Sequence, residues 1–240
     1  MRIIISAILV TCSFAAAEIA AVGDEAVPQE TVSHQRTIPC RQDPARLDER
    51  SKELSEIVRE DQADREGFGP KDTTKTQEDF DRLIARDEIR RKRVGEIFGE
   101  GCFAKASDYA AAALVFQHGN TPDHFYQAFT WFKKAYEMGD KSQREWMAKS
   151  IDRYLSSTGH KPLFGGGFSK TAKPNGSFAC SCLEPVEETF PDSLRREYGR
   201  KTQKENLELL KEYNAGHNCS NRECDVKLKP TPKGSAPGIW

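Results

Sequence analysis

Between residues 44 and 169 apolar residues recur at spacings of three and four, so this part of the chain reads as a series of helices with one buried face each. Caps and breakers divide the series. A first helix is expected from about Pro44 to Arg65, broken by Gly67, Gly69 and Pro70. A second starts near Thr76, an N-cap residue, and runs to about Phe98 before Gly99 and Gly101. The third begins at Ser107 and stops at Gly119. Thr121-Pro122-Asp123 then reads as N-cap, proline at the first helical position and an acidic first turn, opening a fourth helix that ends at Gly139. A fifth covers about Lys141 to Ser157 and ends at Gly159.

The apolar stripes do not simply end; they turn polar. In the first helix Leu47, Leu54, Ile57 and Val58 are followed at helical spacing by Asp61, Gln62 and Arg65. In the second, Phe80, Leu83, Ile84, Val94, Ile97 and Phe98 share a face whose middle is filled by Asp87 and Arg91, with Arg90 at its edge. The third helix is apolar from Ala110 to Phe116 and ends in Gln117-His118. The fifth sets Asp152 and Arg153 among Trp146, Met147, Ile151, Tyr154 and Leu155. A buried charge must be matched or left wet, so these residues point to a shared ion-pair network or a shared polar cavity.

The ends of the chain change the setting. Arg2, an apolar run from Ile3 to Ala17 and the closing Ala15-Ala16-Ala17 read as a secretory signal over residues 1–17. That run is shorter than the ~20 apolar residues needed to span a bilayer, and no later stretch is apolar enough to do so. Residues 18–43 lack a period and read as a linker held at its end by Cys40; residues 44–169 form the helical domain. From 170 to 240 Pro, Gly, Ser and Cys dominate, apart from one helix expected near residues 191–213. Such a tail is short of core residues, so disulfides and contact with the helical domain are expected to hold it. With a net charge of −1 and both signs interspersed, no basic field exists to hold nucleic acid or an anionic bilayer.

Loss of the signal leaves Cys40, Cys102, Cys180, Cys182, Cys219 and Cys224, an even set suited to disulfides in an exported chain. Cys40 is expected to pair with Cys102, and the other four to cross-link the tail. A four-thiolate zinc site at Cys180-x-Cys182 and Cys219-x4-Cys224 is the alternative.

Two chemistries fit the polar residues. In one, Asp61, Arg65, Asp87, Arg91, Asp152 and Arg153 form a buried network and His118 caps the negative end of the third helix. In the other, Asp61, Asp87, His118 and Asp152 ligate a divalent metal that activates water, while Arg65 and Arg153 hold an anionic substrate. Serine-hydrolase elbow, phosphate-loop and zinc-helix motifs are absent. Gly165-Gly166-Gly167 reads as a flexible exit from the fifth helix.

Two resemblances add to this. AFTWFKKAYEMGD, from Ala128 to Asp140, is similar to the helical half of a tetratricopeptide-like repeat, with Ala128 and Ala135 allowing close approach and Trp131 and Phe132 filling the gap. Taken in order, Asp61-Gln62-x-x-Arg65, the Asp87 to Arg91 segment, Gln117-His118, Asp152-Arg153 and Gly159-x-x-x-x-Phe164-Gly165 resemble the motifs of an uncharacterised bacterial family, a helical domain of unknown function, across about residues 55–165. That family closes with Gly-x-x-Gln-x-aromatic-Gly-Thr-Gln; here Pro162, Gly166 and Gly167 replace polar residues, which implies an altered site.

The expected fold is all-α: a compact bundle of about five helices followed by a cysteine-rich irregular module. The expected function is a periplasmic or secreted helical domain that binds a protein, through an exposed apolar groove at Trp131 and Phe132, or a small anionic ligand. A metal-dependent hydrolase and a structural accessory of the cell envelope are the alternatives.

Overall fold

After a single 3-10 turn at Cys40–Gln42, Asp43 accepts the Arg46 N–H at 3.1 Å, and Pro44 occupies the first helical position. Helix α1 (Pro44–Ala63) follows. Helix α2 (Gln77–Gly99) opens with a reciprocal capping box in which Thr76 Oγ1 accepts the Asp79 N–H at 3.2 Å and Asp79 accepts the Thr76 N–H at 2.8 Å. These bonds and Arg82 hold the Asp79 carboxyl down at about 2. Helices α3 (Ala106–Gln117), α4 (Pro122–Glu137) and α5 (Arg144–Ser157) complete the main bundle. The computed structural model describes residues 39–68, 75–170, 180–216 and 218–240; the expected signal and most of the expected linker lie outside them.

Helix α4 packs between α3 and α5. Ala112, Ala113, Ala128, Ala135 and Ala148 are all fully buried, and their small side chains let the helices approach. Phe129, Phe132, Met147, Ile151 and Leu155 fill the space between them. Trp131 closes the opposite side, its ring 4.7 Å from Phe116 and 5.4 Å from Phe103, centroid to centroid.

Helices α1 and α2 cover the α3 side and are clamped at both ends. At one end Cys40 is bonded to Cys102, and Glu100 accepts from Arg46 and Arg50, each at 2.9 Å. At the other, Arg65 reaches Asp87. Asp108 ties the start of α3 to this pair: it accepts the Ala104 and Lys105 amides and the Ser51 hydroxyl, the last at 2.6 Å.

The tail is an irregular module laid on the bundle. Strands β1 (Phe168–Lys170) and β2 (Ser181–Leu183) form a two-stranded antiparallel ribbon, with Ser169 opposite Cys182. Cys180 is bonded to Cys219 and Cys182 to Cys224. The four tail sulfurs are therefore spent on disulfides, and the zinc alternative falls. The single helix expected near 191–213 is two, α6 (Asp192–Glu197) and α7 (Gln203–Tyr213). Gly199 separates them at φ +71°, a left-handed conformation that ends a helix. Buried Arg195 donates to the carbonyls of Leu163, Phe190 and Glu187 at 2.8–2.9 Å, while Phe164, Phe190 and Ala236 join the main core.

Cys40 and Cys102 enclose a sequence separation of 62 residues. Replacing both by alanine is expected to lower the unfolding free energy by about 4 kcal/mol on the chain-entropy account of such a loop, read as a lower urea midpoint than that of the oxidised parent. An unchanged midpoint would show that this end of the α1 and α2 pair is held without the bond.

Candidate functional site

The stripe of α1 runs from Leu54 through Ile57 to Asp61, whose side chain has no exposed surface. A carboxylate there requires full compensation. Gln62 Nε2 donates to Asp61 Oδ2 at 2.7 Å, and His118 Nδ1 lies 2.9 Å from the same oxygen. Arg65 Nη1 lies 2.9 Å from Asp61 Oδ1 but directs its hydrogen bond to the Asp61 carbonyl at 2.8 Å. The network extends into α2: Arg65 Nη2 donates to Asp87 at 2.6 Å, Arg90 reaches Asp87 and Asp64, and Arg86 donates to Asp64 at 2.6 Å.

His118 is the C-cap of α3, where the last helical carbonyls lack intrahelical partners and the helix carries its negative end. Two guanidiniums occupy that end. Arg153 Nη1 donates to the Gln117 carbonyl at 2.7 Å, and Arg91 Nη1 to the His118 carbonyl at 3.3 Å. Neither is ion-paired with a carboxylate among the described residues. Partial desolvation, with the like charge of Arg65 adding to it, lowers both guanidiniums from their ordinary range. The Gln117 side chain accepts from Ser150 Oγ at 2.6 Å, fixing α3 against α5.

Asp152 stands apart from this group. Its Oδ1 accepts the Leu163 and Phe164 amides at 2.8 and 3.0 Å, and its Oδ2 accepts the Gly165 amide at 2.7 Å. The residue keeps some exposed surface, yet its carboxylate is enclosed by the loop it binds. This desolvation pushes the carboxyl up to about 7 against the opposing pull of the three amides. The expected quartet of Asp61, Asp87, His118 and Asp152 therefore does not assemble. Asp61 and Asp87 face Arg65, Asp152 faces a loop, and among the described residues no three His, Cys, Asp or Glu side chains converge as a metal set.

Beside Asp152 lies a cleft of about 600 Å³. Lys149, Asp152 and Arg153 of α5 form one wall; Gly166, Glu184 and Arg200 form the other. Arg200 donates to the Gly165 carbonyl at 2.6 Å and to Glu145 at 3.2 Å, and its buried Nε has no partner among the described residues. The glycine run is not a flexible exit. Gly165 and Gly166 have φ of +72° and +89°, and a Cβ on either would lie 2.5 Å from Val186 or 2.6 Å from Arg200. Only glycine allows the loop to turn so close beneath the tail.

The polar stripes bring Asp61, Arg65, Asp87, Arg91, Gln117, His118 and Arg153 to one end of α3, whereas Asp152 belongs to the cleft floor. Sequence reasoning missed Lys149 and Arg200. Lys149 is four residues before Arg153, the spacing that places both on one helix face. Arg200 follows Gly199, whose helix-ending role went unread within the expected long helix. No family model, curated protein or solved structure matches the chain.

Asp61→Ala is expected to cost about 3–5 kcal/mol, because Arg65 loses a buried partner. Asp152→Asn, which cannot accept from all three loop amides, is expected to cost about 1–3 kcal/mol. Urea unfolding checks both; wild-type stability in either variant would remove the corresponding contact from the forces that hold the site.

Proposed function

We propose that the chain is an exported helical domain that binds a small anionic ligand, a carboxylate or a phosphate, in the cleft between α5 and the Gly165–Gly167 loop. The observation that carries this reading is the set of cations on that cleft. Arg153 is held by a carbonyl and the Phe125 ring, its charged carbon 4.4 Å from the ring centroid. Arg200 keeps an unpartnered Nε, and Lys149 joins them. Guanidinium groups suit flat, doubly bonded oxyanions. A volume of about 600 Å³ lies in the usual range for small-molecule pockets. Asp152, with its carboxyl raised to about 7, repels an anion less than an ordinary aspartate does.

Export is supported by the expected signal and by three disulfides, which persist in oxidising compartments. Among the described residues no helix is long and apolar enough to cross a membrane. The resemblance to a bacterial helical family of unknown function fits an export destination in the periplasm. The protein-docking reading loses its surface: Trp131 and Phe132 are 4% and 1% exposed, so they belong to the core and line no open groove. The envelope-accessory reading rests on the Asp61 network alone and does not account for Arg153, which lines the cleft without a carboxylate partner among the described residues.

Isothermal titration of the mature protein with citrate, and separately with inorganic phosphate, tests the proposal. Arg153→Ala should weaken the binding of the preferred anion by at least about tenfold, the effect of removing a charge-assisted hydrogen bond worth about 1.5–3 kcal/mol. Equal affinity in variant and parent, or no uptake of either anion, would refute the assignment of the cleft.

A further inference from the structure

Arg91 is a buried cation that the rest of the molecule leaves incompletely matched. It keeps 7% of its surface, and its one hydrogen bond among the described residues, to the His118 carbonyl, spans 3.3 Å, longer than the about 2.7–3.2 Å usual for such bonds. Asp87, one helical turn before it, is taken by Arg65 and Arg90. A guanidinium withdrawn from water needs acceptors for its remaining donors.

The side chain lines a cavity of about 380 Å³ where α2 faces the turn from α3 into α4, together with Glu88 and Lys92 of α2, Phe116 of α3, Asn120 and His124. No residue lines both this cavity and the cleft beside Asp152. Its volume is that of a small-molecule site. Phe116 supplies an apolar wall, its ring perpendicular to the His124 imidazole with centroids 5.7 Å apart. His124 Nδ1 accepts the Asn120 N–H at 3.3 Å, so the neutral imidazole carries its proton on Nε2, a donor with no partner among the described residues. Burial, with the nearby charge of Arg91 adding to it, lowers this imidazole from its ordinary value and favours that neutral form. Glu88 precedes Arg91 by three residues, on the same face of α2. Neither Glu88 nor Lys92 is in an ion pair among the described residues.

The cavity thus combines charges of both signs, left unpaired, with an aromatic ring. A simple anion placed there would meet Glu88, and a simple cation would meet Arg91 and Lys92. A ligand that carries both charges on adjacent groups satisfies the two at once, and a spacing of one helical turn between Glu88 and Arg91 suits groups so close together. We propose that this cavity binds a free α-amino acid with an aromatic side chain: Arg91, with Lys92 beside it, takes the carboxylate, Glu88 takes the α-ammonium, and the ring of Phe116 packs on the side chain. The proposal is independent of the anion-binding reading of the cleft.

Calorimetric titration of the mature protein with L-phenylalanine, hydrocinnamate and phenethylamine tests it, because the last two keep the ring and carry one charge each. L-Phenylalanine is expected to bind at least about tenfold more tightly than either, since each lacks one charge-assisted hydrogen bond. Glu88→Gln should weaken L-phenylalanine by a similar factor and leave hydrocinnamate no weaker than in the parent. Arg91→Gln should abolish the uptake of both acids; if that variant fails to fold, Glu88→Gln and the two single-charge ligands still decide the matter. Arg153→Ala, which alters the other cleft, should bind L-phenylalanine as the parent does. No heat of binding with L-phenylalanine, equal affinity for hydrocinnamate or phenethylamine, parent-like affinity in Glu88→Gln, or loss of binding in Arg153→Ala would each overturn the assignment.

Discussion

Asp61 carries a carboxylate into a place with no exposed surface, and the groups that compensate it come from two helices. Gln62 and Arg65 extend from its own helix, His118 from the end of α3, and Arg65 passes the contact on to Asp87 of α2. Buried ion pairs of this kind add little net stability over a well-packed apolar replacement, because desolvation offsets most of the Coulomb gain. What they enforce is geometry. A shift of α3 by a fraction of a turn would take His118 from a buried carboxylate whose other oxygen already lacks a hydrogen bond, so the network fixes the C-terminus of α3 relative to α1 and α2. That terminus presents the Gln117 and His118 carbonyls to Arg153 and Arg91 and so sets where the cleft begins.

Asp152 solves the opposite problem. Where Asp61 is matched by side chains, Asp152 is matched by three successive backbone amides, and the segment it organises is a loop. The far wall of the cleft depends on that loop staying in place beneath the tail. Arg195 fastens the Leu163 carbonyl and Arg200 the Gly165 carbonyl, while Gly165 makes room for Val186 and Gly166 for Arg200. The tail buries few large apolar residues of its own, so directional hydrogen bonds and two disulfides take over the role that packing has in the helices.

Much of this was legible in the sequence because its signals are local. Thr76 and Thr121-Pro122 cap the helices they are expected to cap, since a cap is a bond between residues two or three apart. The polar ends of the α1 and α2 stripes were legible for the same reason: helical spacing alone places Asp61, Asp87 and Arg91 on the inner faces. Their use was not. Aspartate and histidine serve equally in ion pairs and metal sites, and only the three-dimensional positions separate Asp152 from Asp61. Trp131 and Phe132 could line a groove or fill a core until the placement of α3 and α5 is known. The break at Gly199, and with it the direction of Arg200, depends on a tail whose path is set by disulfides and long-range hydrogen bonds.

Charge balance sets two guanidiniums apart from the rest. Asp61, Asp64 and Asp87 on one side, and Arg65, Arg86 and Arg90 on the other, pair within α1 and α2 and cancel. Arg91 and Arg153 stand outside that balance, facing carbonyls at the end of α3. A helix terminus carries roughly half an elementary charge, so it offsets at most about a quarter of what two guanidiniums bring. On the cleft itself Lys149 and Arg200 share Glu145, and the carboxyls of Asp152 and Glu184 line it as well. Structural capping alone would be met by one guanidinium or by the imidazole of His118. Under the proposed reading, the charge that a bound anion would complement is therefore that of Arg153, which faces a carbonyl rather than a carboxylate where α3 ends and α5 meets the glycine loop.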